Sequence, residues 1–285
     1  MIKRIITYIK SYINRYREAV TNLIRGCFSP QLALTYIIPL KFWPILYPRL
    51  VILPENIKVI VNHPATLYVN VYDEFVLREY SKLPEYLPSR YDIVFDVGSY
   101  VGLYALRAAK KVGDKGFVIA CEPNPYCFYF LLQNININNI HNIIAFPVAL
   151  SNKNDYLDFY IIKSGNIGAS SFHYAHVKKW AKEIKRIRVP SMTLDYFIRN
   201  LYVKLNMDRI DILKIDAEGA EADILQGGKN TLTKGMVDKI IIEVHEDINP
   251  LEYILKMLLE YGFRVNYIFR PYPGVKSIVY ARFMK

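Results

Sequence analysis

The stretch that most constrains this chain is IVFDVGSYVG, residues 93–102. Apolar Ile93, Val94, Phe95 and Val97 surround a single acid, Asp96, and Gly98 and Gly102 follow where a helical pattern opens with Leu103, Leu106 and Ala109. The pattern predicts a buried strand that ends on an acid, turns tightly and feeds a helix. In open α/β sheets that unit lines the crevice where nucleotides bind, because the carboxyl end of the strand and the start of the next helix converge there. Gly98 allows the backbone to turn and approach a ligand, and Gly102 lets the helix start close to the sheet. The Gly-x-x-x-Gly spacing matches neither the dinucleotide fingerprint G-x-G-x-x-G nor the phosphate loop G-x-x-x-x-G-K-[ST].

Downstream, strands and helices alternate. Residues 116–121 (GFVIAC) predict a second strand ending on Glu122, Pro123 and Asn124, with a helix following through Cys127, Phe130, Leu131 and Asn134. A carboxylate there accepts hydrogen bonds from vicinal ribose hydroxyls, so Glu122 is the expected ribose ligand in preference to a helix cap. A third strand over 143–150 ends at Ala149 and Ser151, expected to frame an adenine, and 156–162 is an additional strand. The fourth strand, 211–217, delivers Asp216 and then Glu218 to the same edge; the fifth, 239–244, delivers Glu243 and His245. A helix over 250–261 ends at Gly262, and strands 263–269 and 277–283 close the chain as a hairpin. This order predicts an α/β fold with a doubly wound, mostly parallel sheet.

Residues 163–190 interrupt the alternation with a polar, glycine-bearing stretch, His173, His176 and a run of lysines and arginines. A loop recognising an anionic acceptor and a solvated basic helix face are equally good readings of the cations. The two histidines have no local third metal ligand and are taken as polar loop residues.

The first part of the chain differs in character. Residues 1–25 carry six Lys or Arg against one acid, with apolar residues at helical spacing, which predicts a basic amphipathic helix. It suits an anionic membrane surface and a docked helix equally. Prolines 30, 39, 44, 48 and 54 exclude a spanning helix from the apolar stretch after it. A hairpin of 57–61 with 67–71 and a helix over 73–80 capped by Asp73 complete an extension of residues 1–88, ahead of an α/β domain over 89–285. The net charge of +11 favours an anionic partner. Cys27, Cys121 and Cys127 show no metal-ligand spacing, which places the chain in a reducing, cytoplasmic setting, peripheral on the inner membrane face if the first helix binds lipid.

Taken together, DVGSYVG, CEPNP, the ALS after the third strand, GASS, MTLDYF, KIDAEGAEADILQGG and IIIEVH resemble the FkbM-type methyltransferases over residues 91–245, and weakly earlier at 78–80. IDAEGAE is the most specific piece. Ser99 and Tyr100 stand where Ala-Asn is usual in the resemblance. The resemblance implies a seven-stranded class I sheet, S-adenosylmethionine as cofactor and O-methylation of a hydroxyl on a sugar, glycan, glycolipid or related small molecule. It places the cofactor against Asp96, Gly98, Ser99, Gly102, Glu122, Pro123, Asn124, Ala149 and Ser151. Asp216 and His245 are the candidates for activating the hydroxyl, with Glu218 and Glu243 in support. A metal shared by Asp216, Glu243 and His245 is the lesser alternative, and none is assigned. Glu218 and Glu221 also suit the positive start of a helix. The alternatives are an RNA (tRNA) methyltransferase, which the acidic edge disfavours, and a non-catalytic binding or membrane-associated scaffold protein, which the intact motifs disfavour.

Overall fold

The computed structural model describes residues 49–61, 63, 66–163, 167–181, 183–205, 207, 209–272 and 276–284. The amphipathic segment 1–25 and the proline-rich stretch up to residue 48 lie outside the described residues. The chain divides into two compact units, residues 1–78 and 79–285.

In the first unit, strand β1 (Arg49–Leu53) pairs antiparallel with β2 (Ile57–Val61), from Arg49 opposite Val61 to Leu53 opposite Ile57. Val51, Leu53, Ile57, Val59 and Val61 are buried while Leu50 and Ile52 are exposed, the alternation of a half-buried ribbon. The hairpin therefore precedes the expected one: Pro54 starts the turn, and Glu55 and Asn56 take φ of 62° and 54°. Residues 66–77, expected to hold a strand and a helix capped by Asp73, form one wide π-type helix, α1 (Thr66–Leu77), with Asp73 buried inside it. The β-branched and aromatic residues of this stretch suggest a strand, but Val71 and Phe75 are buried four residues apart, a helical spacing.

The second unit is built on a seven-stranded sheet. Its strands are β3 (Ile93–Val97), β4 (Phe117–Cys121), β5 (Ile143–Phe146), β9 (Ile210–Ile215), β10 (Val237–His245), β11 (Phe263–Tyr272) and β12 (Lys276–Phe283), in the spatial order β11-β12-β10-β9-β3-β4-β5. Strands β3, β4, β5, β9 and β10 are mutually parallel, and β12 runs antiparallel between β10 and β11. From β3 the order runs outward through β4 and β5 on one side and through β9 and β10 on the other. The reversal lies between β3 and β9, the position where open sheets of this kind leave a crevice.

Alternate side chains feed two cores. Phe95, Val97, Ile119, Cys121, Leu213, Ile215, Ile240 and Ile242 pack against α5 (Leu194–Leu205), α6 (Glu221–Gly227), α7 (Lys229–Thr233) and α8 (Leu251–Glu260). Val94, Val118, Ala120, Ile212 and Ile241 face the other way, onto α2 (Leu103–Val112) and α3 (Pro125–Ile137). Helices on both faces of a mostly parallel sheet give the doubly wound architecture. Each buried Val, Leu or Ile contributes about 1.5–3 kcal/mol, enough to fix the register.

Two expectations for the middle of the chain are corrected. The strand read as continuous over 143–150 breaks at Pro147, which has no N–H for a ladder. Its second half, β6 (Ala149–Ser151), leaves the main sheet for a smaller one with order β6-β8-β7, formed with β7 (Asp155–Ile162) and β8 (Ile184–Thr193). The polar stretch after 163 is only partly a loop. It contains α4 (Tyr174–Trp180), and Lys185, Arg186 and Arg188 lie on β8, antiparallel to β7. Arg186 pairs with Asp158 at 2.7 Å on the solvent side, so these cations decorate a sheet face. Among the described residues no helix is long and apolar enough to cross a membrane.

Candidate active site at the carboxyl edge of the sheet

Opposite Val97 stand Cys121 on β4 and Ile215 on β9, and Ile215 pairs with Ile242 on β10. This register delivers Asp96, Glu122, Asp216, Glu243 and His245 to one edge. The strand period does the rest: Asp96 shares the α2 face with Val94, Lys214 and Asp216 share it with Ile212, and Glu243 and His245 share it with Ile241.

The turn after β3 is shaped by close backbone approach. Gly98 has φ of 75°, and a Cβ there would lie 1.7 Å from the carbonyl oxygen of Asp216. The Asp216 N–H in turn donates to Val97 O at 3.0 Å, so the ends of β3 and β9 are joined through backbone. Ser99 is buried and its Oγ donates to Asp96 O at 2.8 Å. Gly102, with φ of 95°, abuts Leu131 of α3.

Glu122 accepts from Tyr100 N–H at 2.8 Å through Oε2 and from Asn124 N–H at 2.8 Å through Oε1. Burial pushes its carboxyl up to about 8, against the lowering effect of those two bonds. Pro123 carries the chain into α3, where Asn124 caps the helix by accepting from Tyr126 N–H at 3.1 Å. Asp96, Gly98, Ser99, Gly102, Glu122, Pro123 and Asn124 thus form one continuous cradle. Ala149 and Ser151 follow β6 into the smaller sheet. Ala149 packs there with Phe159 and Val189, and Gly227 of α6 abuts Ser151 O.

Lys214 joins the cradle to the other half of the edge. Its Nζ lies 3.0 Å from Asp96 Oδ1, 3.1 Å from Gly98 O and 3.6 Å from Asp216 Oδ2, with the Tyr80 ring 5.1 Å away. Burial alone would favour the neutral amine, but the charges of Asp96 and Asp216 raise its pKa above the usual lysine range.

On the far side of Lys214, the Tyr80 hydroxyl donates to Glu243 Oε2 at 2.7 Å and lies 3.0 Å from Asp216 Oδ2. Lys276 Nζ pairs with Glu79 Oε2 at 2.8 Å and Glu243 Oε1 at 3.3 Å. His245 Nδ1 lies 2.8 Å from Glu221 Oε1, and its Nε2 lies 3.2 Å from Glu218 Oε2 and 3.6 Å from Glu243 Oε1. Glu221 is fully buried and also accepts from Gly219 N–H at 2.9 Å and Asn249 Nδ2 at 2.6 Å.

These contacts spread the acidities apart. Burial and the Glu243 charge raise the Asp216 carboxyl to about 7. Burial would also raise Glu218, but the charge of His245 and hydrogen bonds from both histidines lower it to about 2. Burial opposes a charged His245, yet Glu218 and Glu221 hold its pKa well above the usual value. Glu243 is held below its usual value despite burial, chiefly by Lys276 and then by His245.

The structure therefore gathers Asp216, Glu218, Glu243 and His245, as expected, and adds groups that the sequence reading missed. His176 is not a loop residue: it is buried on α4, with Nε2 3.1 Å from Glu218 Oε2 and Nδ1 2.9 Å from Asp247 Oδ2. Lys214 carried a readable signal, as a charge on an otherwise apolar buried strand. Tyr80, Glu221 and Lys276 carried none beyond their residue type.

The methyltransferase FkbM domain family matches residues 96–265. Methyltransferase 1 of Beauveria bassiana is 24% identical over 237 residues, spanning 75% of this chain and 88% of that protein. Hexuronic acid methyltransferase AglP of Haloferax volcanii is 26% identical over 170 residues, 59% of this chain and 62% of that one. For 2-O-methyltransferase NoeI of Sinorhizobium fredii the identity is 26% over 179 residues, covering 58% and 70%.

Proposed function

Because the chain belongs to the FkbM methyltransferase family, and is thereby an S-adenosylmethionine-dependent methyltransferase, we propose that it methylates a hydroxyl oxygen of a sugar or glycan. The observation that carries the reading is the placement of two unlike half-sites on one sheet edge. One is the cradle of Asp96, Gly98 and Glu122, a left-handed glycine turn between two buried carboxyl groups, suited to a nucleoside; the other is the carboxylate and imidazole group of Asp216, Glu218, Glu243 and His245. Lys214 bridges them, 3.0 Å from Asp96 and 3.6 Å from Asp216.

Methyl transfer from a sulfonium is an in-line displacement, and positioning supplies much of its acceleration. The cradle would hold S-adenosylmethionine, with Glu122 the residue that would accept from its ribose hydroxyls. The acceptor oxygen approaches from the Asp216 side, where a hydroxyl, a poor nucleophile, meets groups able to polarise its O–H bond. That edge is acidic and disfavours a phosphate backbone. Two relatives, a hexuronic acid methyltransferase and a 2-O-methyltransferase, support a sugar acceptor. The basic segment 1–25 supports an anionic surface as a second partner, which co-sedimentation with anionic and neutral vesicles tests.

The experiment has two arms. Calorimetric titration with S-adenosylmethionine should give micromolar-range binding, about −8 kcal/mol, that Glu122→Gln weakens. Methyl-tritiated cofactor offered with neutral hexosides and hexuronic acids should then label a sugar as an ether, stable to mild alkali. Label released by alkali would mean an ester on a carboxyl group, and label found only in RNA would sink the sugar reading.

A further inference from the structure

Asp216, Glu218 and His245 each offer one ligand atom, and these atoms lie within 4.8 Å of one another. We propose that the three side chains bind one divalent cation of the Mn2+ type, through two carboxylates and one imidazole. The spacing fits. Ligands held at about 2.0–2.6 Å from a common ion lie no more than about 5 Å apart. Glu218 Oε2 and His245 Nε2, 3.2 Å apart, already stand as adjacent ligands would.

The surrounding contacts orient these groups as ligands. His245 is pinned through Nδ1 by Glu221, itself fully buried and held by Gly219 N–H and Asn249, and this turns Nε2 toward the two carboxylates. A carboxylate on the remote ring nitrogen is the usual way a ligating histidine is fixed. Tyr80 and Lys214 both approach Asp216 at Oδ2, which sets that carboxylate from one side. His176 does the same for Glu218. Glu243, the third ligand that the sequence suggested, is engaged by Tyr80 and Lys276, and Glu218 takes its place. The mixed oxygen and nitrogen donor set, without thiolate, suits Mn2+ and its neighbours.

The use of the ion rests on the hydroxyl-acceptor reading; its binding does not. The ion would take the acceptor oxygen and acidify its O–H. The proton leaves to solvent, the oxygen forms the new O–C bond, and the breaking C–S bond leaves its electron pair on sulfur as neutral S-adenosylhomocysteine.

The test needs neither cofactor nor acceptor. The full chain, stripped with EDTA, is titrated with Mn2+ and the free-ion signal is followed by electron paramagnetic resonance, with thermal melts to confirm that each variant folds. Wild type should bind one Mn2+ per chain. Glu218→Gln and His245→Gln should each weaken binding at least about tenfold and Glu221→Gln by about ten- to hundredfold, while the surface variant Asp158→Asn leaves it unchanged. If His245→Gln does not fold, Glu218→Gln decides, because that side chain is 23% exposed and leaves no buried gap. Absence of stoichiometric binding, or binding that Asp158→Asn weakens as much as Glu218→Gln, overturns the proposal. Stoichiometric Mn2+ binding without sugar methylation upholds the ion and refutes the acceptor; methylation unaffected by EDTA, with no Mn2+ bound, does the reverse.

Discussion

Replacing Lys214 by methionine keeps most of the side-chain volume and removes only the ammonium. Asp96 is then left with its carboxylate fully buried, since it is 0% exposed and Lys214 only 4%. Breaking a buried pair by removing one partner costs about 3–5 kcal/mol, because the remaining charge cannot regain its hydration. Asp216 is a quarter exposed and recovers water, so the loss falls on Asp96. For a unit spanning residues 79–285, each kcal/mol moves Tm by about 2–4 °C, so the melt should fall by about 6–20 °C. Urea unfolding followed by circular dichroism measures the same loss as a lower midpoint with unchanged slope. Asp96→Asn combined with Lys214→Met should recover much of it, leaving a coupling of about 2 kcal/mol in the double-mutant cycle. The sign with pH follows from Lys214 itself. Burial opposes its charge, but Asp96 and Asp216 raise its folded pKa above the unfolded value, so its contribution is complete below the ordinary lysine pKa and fades as pH rises through the folded one. The gap between wild type and variant should be flat across neutral pH and close only in strong alkali. A loss below about 1 kcal/mol would mean that water reaches Asp96, and the argument from buried charge would fail.

Other outcomes follow from single contacts. Gly98→Ala drives a Cβ to within 1.7 Å of Asp216 O and should leave the protein insoluble or destabilised by at least about 4 kcal/mol; a soluble variant with a normal urea midpoint would refute the close approach. Tyr100 sits at φ 51°, a left-handed conformation that asparagine tolerates better, so Tyr100→Asn should raise stability by about 1 kcal/mol, and a lower Tm would contradict this. Glu122 has its folded pKa raised from 4.5 to about 8 by burial, so its contribution is full below the lower value and is lost as pH rises through the upper. Stability of the unliganded protein should decline across that window, and Glu122→Gln should flatten the decline. Asp216→Asn should cut methyl transfer at least about a hundredfold while S-adenosylmethionine affinity, by calorimetry, stays within about threefold; full activity would remove Asp216 from the acceptor side.

The legible parts of this protein were those where local pattern and global fold agree. The strand–turn–helix at Asp96, Gly98 and Gly102, the acid at Glu122 and the strand ends at Asp216 and His245 were readable because each lies at a switch from apolar run to polar turn. Pro147 was readable in principle, since a residue without an N–H cannot sit inside a paired strand, yet apolar continuity on both sides of it outweighed the break. The long helix at 66–77 was hidden because its β-branched residues favour a strand locally and only tertiary burial decides otherwise. His176, Tyr80 and Lys276 escaped for a different reason. Each reaches the edge from an element distant in sequence, 42 residues for His176 to Glu218 and 163 for Tyr80 to Glu243, and no local period encodes such a meeting.

The even spacing of Lys214 and Asp216, and of Glu243 and His245, means that the site is stored as parity. Losing one residue within β9 would send Lys214 and Asp216 toward the helices α5 and α6, and bring Leu213 and Ile215 to the crevice in their place. The same loss in the turn at Gly113–Gly116, between α2 and β4, would shorten a connection and leave every strand facing as before. Related sequences should therefore differ in length freely at such turns and almost never by an odd number inside the strands that end on Asp96, Asp216 and His245.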